Sequence, residues 1–265
     1  MILTKYCFFF QFYSRLYEIS KPFLVSAGVA HAAAISTGGV LYTWGYGAHG
    51  RLGHCHDTTG SLRPRKVAFF KEDFVFDVAC DSGNQSAATY ALTKTTLGAV
   101  ELWSWGDNTG GKLGRPVEGG KTGIPGKVCL PDGISISKIF CGAQFVVAQT
   151  NDNKLYSWGS GKYYRLGHGT EEDQPKPKIL EALKDEEIED IAVGSLHVIL
   201  VTKSRKIFYW GDNDEGQLGN GNYNSVKIPT QSEIFANEIK LKAEEIIRVA
   251  AGSAHSVLWT TKAWA

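Results

Sequence analysis

The sequence Leu-Tyr-Ser-Trp-Gly-Ser-Gly-Lys-Tyr-Tyr-Arg-Leu-Gly at residues 155–167 decides the fold, because related stretches occur three more times. In every copy an aromatic-x-Trp-Gly box is followed by a Leu-Gly pair, whose Leu stands 8 residues after the Trp. Four copies with one internal spacing are a repeat array, and such an array determines the fold class. The tryptophans and glycines that define the copies are Trp44, Gly45 and Gly53; Trp105, Gly106 and Gly114; Trp158, Gly159 and Gly167; and Trp210, Gly211 and Gly219.

A second element precedes each box and occurs once more near the end of the chain. It is a short apolar run that leads into a turn, and its five copies cover residues 25–31, 78–84, 139–145, 191–197 and 249–255. Successive box tryptophans are 61, 53 and 52 residues apart, which is the range of propeller blades. The longest step predicts a longer hairpin at residues 93–99. The array therefore consists of four full units and one half unit.

The pattern inside each unit is typical of β-strands. In the third box Tyr156 and Trp158 are two residues apart and so share one face of a strand, while Leu155 lies on the other. A strand that is apolar on both faces is covered on both, as in a blade between two neighbours. Three residues after each Trp stands a Gly or Asn, which predicts a left-handed turn residue at Gly47, Asn108, Gly161 and Asn213.

Composition restricts the possible partners and compartment. The 265 residues carry a formal net charge of +1, which speaks against a nucleic-acid partner because there is no overall basic field. Five cysteines without a CxxC pair fit a reducing compartment, so we expect a cytoplasmic or nuclear location. No apolar run approaches the roughly 18 residues of a membrane span, so no membrane partner is expected.

Residues with chemical potential are few, and the repeats explain most of them. Gly45-x-Gly47-x-x-Gly50 matches a dinucleotide fingerprint but does not open a helix in a βαβ unit, so we expect no cofactor. The cluster at residues 54–57 reads His-Cys-His-Asp, yet a zinc site would need distant ligands that the sequence does not offer; we expect no metal. We predict no catalytic residue. A packing role is expected for the histidines that share one repeat position with Asn84 and Phe145, namely His31, His197 and His255.

Three stretches together resemble the repeats of the regulator of chromosome condensation (RCC1-like) family. They are Gly-Ser-Leu-His at 194–197, Phe-Tyr-Trp-Gly-Asp-Asn-Asp-Glu-Gly-Gln-Leu-Gly at 208–219 and Gly-Ser-Ala-His at 252–255. The third box and the segment through residue 261 are most similar to the propellers inside giant HECT-type ubiquitin ligases.

The resemblance implies an all-β fold, a β-propeller of RCC1-like blades. Family members have seven blades, whereas this chain offers four full repeats plus one half, so we expect an incomplete or shortened propeller. The repeat array is predicted at residues 25–265. Residues 1–24 form an N-terminal apolar segment, which is a possible strand or the remnant of a preceding blade. A strand from residues 8–13 that joins the terminal half unit is a further possibility.

The implied function is that of a non-catalytic scaffold for protein–protein interaction, within or associated with a ubiquitin-ligase system. Any ligase activity would lie in a HECT domain outside this chain. The alternative is guanine-nucleotide exchange on a small GTPase with chromatin association, which resemblance to the founding member allows. The candidate contact is the loop Lys162, Tyr163, Tyr164 and Arg165, because tyrosine and arginine are enriched at interfaces and Tyr164 replaces the glycine of the other copies.

Overall fold

The computed structural model describes residues 22–83, 85–234 and 245–262. These residues form four four-stranded antiparallel sheets and one two-stranded sheet, each with its strands in chain order. We call the four sheets blades 1 to 4 and the two-stranded sheet the half-blade. Blade 1 contains β1 (Pro22–Ala27), β2 (His31–Ser36), β3 (Leu41–Gly45) and β4 (Ser61–Lys66); blade 2 contains β5 (Phe74–Cys80), β6 (Ala88–Lys94), β7 (Val100–Asp107) and β8 (Lys121–Lys127); blade 3 contains β9 (Ile136–Cys141), β10 (Phe145–Thr150), β11 (Leu155–Gly159) and β12 (Gln174–Ile179); blade 4 contains β13 (Ile188–Val193), β14 (His197–Thr202), β15 (Ile207–Gly211) and β16 (Val226–Gln231); the half-blade contains β17 (Glu245–Ala251) and β18 (Ser256–Lys262).

Short 3-10 turns are the only helices that span three or more of the described residues. Three of them follow the Trp-Gly strand of blades 1 to 3 at the same place, and two lie in connections. They are Ala48–Gly50, Thr109–Gly111, Lys162–Tyr164, Glu118–Gly120 and Glu181–Leu183. None of the described helices is long and apolar enough to cross a membrane.

The core lies between blades rather than inside one sheet. Every residue of β10, β11, β14 and β15 is buried, which confirms the prediction that the box strands are covered on both faces. The apolar clusters combine neighbouring blades: Tyr90 of blade 2 and Trp158 of blade 3, for example, belong to one cluster. The first strand of each blade also contacts the first strand of the next. Each blade is therefore stabilised by its neighbours, as in other repeat arrays.

The array is an incomplete propeller, as the sequence predicts. Among the described strands β18 pairs with β17 alone, so the half-blade lacks the third and fourth strands of its sisters. The described array begins with β1 at Pro22, three residues before the predicted start at residue 25. The segment predicted at residues 8–13 lies outside the described residues.

The extra residues of blade 2 are divided between two loops, so the prediction of a longer hairpin is correct only in part. Nine residues separate Leu92 from its partner Leu102, against five between Ile35 and Leu41. The rest of the insertion lies between β5 and β6. In the other blades, the residue at the histidine position pairs with the glycine of the Trp-Gly box. Ala88 pairs with Gly106 in the same way, so Ala88 and not Asn84 holds that position. Asn84 itself lies outside the described residues.

Candidate functional site

The box tryptophans of blades 2 to 4 each form a joint between two blades. The indole inserts against the preceding blade, and its N–H donates to the backbone carbonyl that stands just before the Leu-Gly pair there. A buried indole needs such an acceptor, so the bond fixes how deeply each blade inserts. The donor–acceptor distances are 2.9 Å for Trp105 Nε1 to Arg51 O, 2.8 Å for Trp158 Nε1 to Lys112 O and 3.0 Å for Trp210 Nε1 to Arg165 O.

The glycine of the Leu-Gly pair lies directly against the indole in this joint. A Cβ on Gly167 would lie 2.9 Å from Trp210 Nε1, which is too close for any real contact. At Gly219 of blade 4 a Cβ would meet nothing within 4 Å. The two residues have similar backbone angles, with φ of 75° and 62°. The same repeat position is therefore filled by a tryptophan at one glycine and open at the other.

We expect Gly167→Ala to lower the free energy of unfolding by about 1–3 kcal/mol more than Gly219→Ala. The left-handed backbone penalises alanine at both positions, roughly 1–2 kcal/mol each, so the difference reports the collision with Trp210. Chemical denaturation of the two variants under one set of conditions measures it. Equal losses would contradict the joint as described.

The turn that follows each box differs from the prediction at its third residue. Gly161 has φ −89° and Asn108 φ −111°, so neither is left-handed. Gly161 is needed for close approach, since a Cβ there would lie 2.1 Å from Glu172 O. Asn108 instead accepts a hydrogen bond at Oδ1 from Leu113 N at 2.9 Å. The left-handed residues stand five and six positions after the Trp in blades 1 to 3, at His49 and Gly50, Gly110 and Gly111, and Tyr163 and Tyr164.

The histidine position is a second joint between blades, with a pairing rule. His31 Nε2 and Thr89 Oγ1 of the next blade are 2.9 Å apart, and His197 Nε2 and Ser256 Oγ of the half-blade are also 2.9 Å apart. Where the residue at the histidine position is apolar, the residue that faces it from the next blade is valine. Those apolar pairs are Ala88 with Val146 and Phe145 with Val198, each within one cluster. The predicted packing role of His31 and His197 thus includes a hydrogen bond to the neighbouring blade.

Burial makes these histidines sensitive to acid. Burial, and then the neighbouring His255, lowers the pKa of His197 to about 4. A histidine whose folded pKa lies below the unfolded value of about 6.5 stabilises the fold fully above pH 6.5 and loses that contribution as the pH falls towards 4. Burial, and then Arg51, lowers the pKa of His31 to about 3.

The pair Phe145 and Val198 offers a test within the same chain. We expect the double variant His197→Phe, Ser256→Val to lose less stability than the wild type between pH 6.5 and 4, by up to about 1.4 kcal/mol per pH unit. Urea denaturation at several pH values measures this slope. His31 keeps its own contribution in both proteins, so a residual slope is expected. Parallel stability curves would refute the assignment of the slope to His197.

The turn Lys162–Tyr164 departs from the sequence pattern of the other copies, and its backbone is strained. Tyr163 and Tyr164 have φ of 59° and 56°, a region that L-residues with a Cβ enter at roughly 1–2 kcal/mol each. The flanking acidic run, residues 171–173, holds the turn: Glu171 Oε1 accepts from Tyr163 N at 2.8 Å, and Asp173 Oδ1 accepts from Gly161 N at 2.9 Å. These hydrogen bonds thus hold the turn in a backbone conformation that its tyrosines disfavour.

The four predicted contact residues differ in exposure. Lys162 and Tyr163 are exposed, with Tyr163 at 46%, and Tyr164 is half-buried. Lys227 of blade 4 lies over the Tyr164 ring, 5.3 Å from its centroid. Arg165 is only 3% exposed, and its guanidinium donates to Lys162 O and Ala143 O, both at 2.7 Å. Arg165 therefore braces the turn from inside, which its sequence position did not indicate.

The cluster at residues 54–57 has structural partners. His54 Nε2 lies 3.2 Å from Thr43 Oγ1, and Asp57 accepts from Arg65 Nη1 at 2.5 Å. Cys55 is an exposed free thiol. Within residues 22–83, 85–234 and 245–262, no three His, Cys, Asp or Glu side chains are placed to hold a metal ion. His54 thus contacts the box strand of blade 1, and Asp57 contacts its fourth strand.

The RCC1-like domain profile matches residues 15–258, nearly the whole repeat array. The chain belongs to the RCC1-like domain family. The human E3 ubiquitin-protein ligase HERC2 is 41% identical over 239 residues, which are 89% of this chain and 5% of that protein. The mitochondrial RCC1 domain-containing protein RUG3 of Arabidopsis thaliana is 32% identical over 251 residues, which are 92% of this chain and 53% of that protein.

Solved structures share the fold of this RCC1-like array. Yeast RCC1 (Prp20), crystallised with Kap60, superposes with a TM-score of 0.73 at 22% identity, covering 92% of this chain and 54% of that one. Human WBSCR16 superposes with a TM-score of 0.70 at 20% identity, covering 92% and 58%. The chain thus spans a small part of HERC2 and about half of the other three.

Proposed function

We propose that this RCC1-like array is a non-catalytic protein-interaction module that works in a ubiquitin-ligase system. The identity to HERC2, a protein named as a ubiquitin ligase, supports the system. The proposed docking element is the turn Lys162–Tyr164. No disulfide joins the four described cysteines, Cys55, Cys80, Cys129 and Cys141, in keeping with the cytoplasm or nucleus as the proposed compartment.

The strained tyrosine pair is the observation that carries this proposal. Glycine at the sixth position after the Trp, as in Gly50 or Gly111, relieves the backbone at no steric expense. Local strain of this kind persists where a function selects it, and an exposed tyrosine offers a partner a large, stiff contact. Lys162 beside it and Lys227 behind it add positive charge. The turn is thus a contact surface at the expense of local stability.

The stability of a glycine variant is the first test. We expect Tyr164→Gly to leave the free energy of unfolding within about 1 kcal/mol of the wild type, because relief of the left-handed strain offsets the flexibility of glycine and the lost packing on Lys227. A half-buried tyrosine with ordinary backbone angles would lose more. Thermal and urea denaturation measure the change. A loss above about 3 kcal/mol would show that the side chain serves stability.

Partner capture is the second test. The double variant Tyr163→Gly, Tyr164→Gly copies the Gly110-Gly111 pair of blade 2, so its backbone keeps the turn. Quantitative mass spectrometry of proteins crosslinked to the chain in cells is expected to show components of ubiquitin conjugation that this variant loses. His49→Gly, the matched change in blade 1, is expected to retain them. Equal recovery by wild type and double variant would contradict docking through the turn.

Guanine-nucleotide exchange stays an untested prediction. A solved relative at 22% identity is described by its binding to Gsp1p and histones, and likeness at that level extends to the fold alone. None of the described residues of this chain favours exchange over scaffolding.

A further inference from the structure

An open cavity lies on the surface between blades 1 and 2, and we call it the blade 1–2 cavity. Its volume of about 580 Å³ is within the range of roughly 300–1,000 Å³ that ligand pockets occupy. One wall is the loop that follows the box strand of blade 1, and the other is the beginning of β8 in blade 2. The lining side chains include those of Tyr46, Cys55, His56, Thr58, Lys121 and Ile124.

The cavity lies beside two glycines that stand where blades 3 and 4 carry large side chains. Gly50 and Gly123 correspond to Tyr164 and Lys227, whose side chains stack on each other. Between blades 1 and 2 the backbones of the two glycines touch instead, since a Cβ on Gly50 would lie 2.4 Å from the Cα of Gly123. No side chain of this pair therefore fills the space beside them.

The polar side chains that line the cavity can all donate hydrogen bonds, and none of them is a carboxylate. Lys121 is exposed, and within the described part of the chain its ammonium has no carboxylate partner. His56 and Thr58 are exposed on the opposite wall and add a ring N–H and a hydroxyl. The cavity therefore offers one positive charge and several donors to an anion.

Two acidic residues adjoin the cavity, and both are compensated by other cations. Asp57 accepts from Arg65 Nη1 at 2.5 Å. Asp107 Oδ1 lies 3.3 Å from the buried Lys112 ammonium, and its Oδ2 lies 3.7 Å from His49 Nδ1. His49 borders the cavity, but this nitrogen is thus directed into the protein. An anion in the cavity meets the free lysine without an opposing free carboxylate.

The same cavity has an apolar side. Tyr46 is 55% exposed and Ile124 is 42% exposed, although both are large apolar side chains. The Arg51 guanidinium lies over the Tyr46 ring, 5.0 Å from its centroid, and holds the ring at the cavity wall. Apolar surface beside a cation suits an aromatic ring that carries an anionic group, because the ring buries apolar area while the anion pairs with the ammonium.

We propose that the blade 1–2 cavity binds the phosphotyrosine side chain of a partner protein. Lys121 pairs with the phosphate, His56 and Thr58 donate to its other oxygens, and the phenyl ring lies against Tyr46 and Ile124. A phosphate has three acceptor oxygens and up to two negative charges, so it uses more of these donors than a carboxylate does. The cavity is separate from the turn Lys162–Tyr164 and does not depend on its role.

Two exposed thiols of the chain report on occupancy of the cavity. Cys55 lines it, and Cys129 does not. We expect phenyl phosphate to protect Cys55 saturably from alkylation by N-ethylmaleimide and to leave Cys129 unprotected, as measured by mass spectrometry of the alkylated peptides. Inorganic phosphate is expected to bind at least about 10-fold more weakly, because it has no ring to bury. Equal protection of the two thiols, or equal affinity for the two probes, would overturn the proposal.

Peptide pools identify the source of the phosphate. Dye-labelled pools of random sequence carry phosphotyrosine, tyrosine or glutamate at one fixed position, and fluorescence anisotropy measures their binding to the full chain. We expect the phosphotyrosine pool to bind at least about 10-fold more tightly than the other two, and Lys121→Met to remove this preference. Lys176→Met changes an exposed lysine on the outer strand of blade 3 and is expected to retain it.

Both lysine variants are expected to keep the thermal midpoint of the wild type, because both side chains are exposed. Glutamate peptides that bind as tightly as phosphotyrosine peptides would make the cavity a site for acidic segments and overturn the proposal. A phosphotyrosine preference that survives Lys121→Met would place binding elsewhere on the chain. Binding of phenyl phosphate without any preference among the pools would restrict the cavity to free aryl phosphates and overturn docking of a partner protein.

Discussion

Replacing Trp158 by alanine is expected to lower the free energy of unfolding by about 3–5 kcal/mol. The side chain is fully buried between blades 2 and 3, and its indole N–H donates to Lys112 O. The variant loses the transfer free energy of the ring and leaves a cavity at the joint. Urea denaturation followed by circular dichroism measures the change, and a broadened or biphasic transition would show that the two sides of the array have lost their coupling.

Trp158→Phe separates packing from hydrogen bonding. It keeps most of the ring volume and removes the N–H, while Lys112 O still accepts from the Tyr90 hydroxyl at 2.8 Å. We therefore expect a loss of about 1–2 kcal/mol, well below that of alanine. Equal losses for phenylalanine and alanine would mean that the hydrogen bond, and not the apolar contact, stabilises the joint.

Replacing Lys112 by methionine is expected to destabilise the chain by about 3–5 kcal/mol. Lys112 is 0% exposed, and its ammonium lies 3.0 Å from Asp81 Oδ2 and 3.3 Å from Asp107 Oδ1 and donates to Ser86 O. Asp81, at 1% exposure, would lose its ion-pair partner while staying buried. Its other oxygen accepts from Gln144 N of blade 3 at 3.1 Å, so the damage would reach the next blade. Chemical denaturation at pH 7 measures the loss.

A matched control identifies the charge as the cause. Adding Asp81→Asn to Lys112→Met is expected to restore part of the stability, since the buried charge is gone. A deficit that Asp81→Asn leaves unchanged would point to the lost packing of the lysine chain instead.

Much of the fold was predictable because the repeat carries it. The spacing between Trp158 and Leu166 recurs in all four copies, and a pattern repeated at that interval allows few architectures. The strand pattern of each box identified the buried faces correctly. The turn chemistry was less accessible: Gly161 is a glycine because another segment approaches it, and such proximity cannot be inferred from the residue type alone.

The candidate sites were predictable only as departures from the repeat. Tyr164 stood out because its sister positions carry glycine, and its left-handed backbone explains why that departure matters. Arg165 looked equally suited to an interface, yet it is buried beneath the turn. The half unit was visible in the sequence, but the open glycine position at Gly219 was recognisable only by comparison with the packed blades.

The sequence by itself determined the repeat, the strand content and the residues that form each joint, because those properties depend on local pattern and on spacing along the chain. The tertiary structure alone decided which joints are filled and which side chains are reachable. The hydrogen bond of His197 to Ser256 and the ion pair of Lys112 with Asp81 join residues about 30 to 60 positions apart. Such contacts exist only once the blades pack against one another.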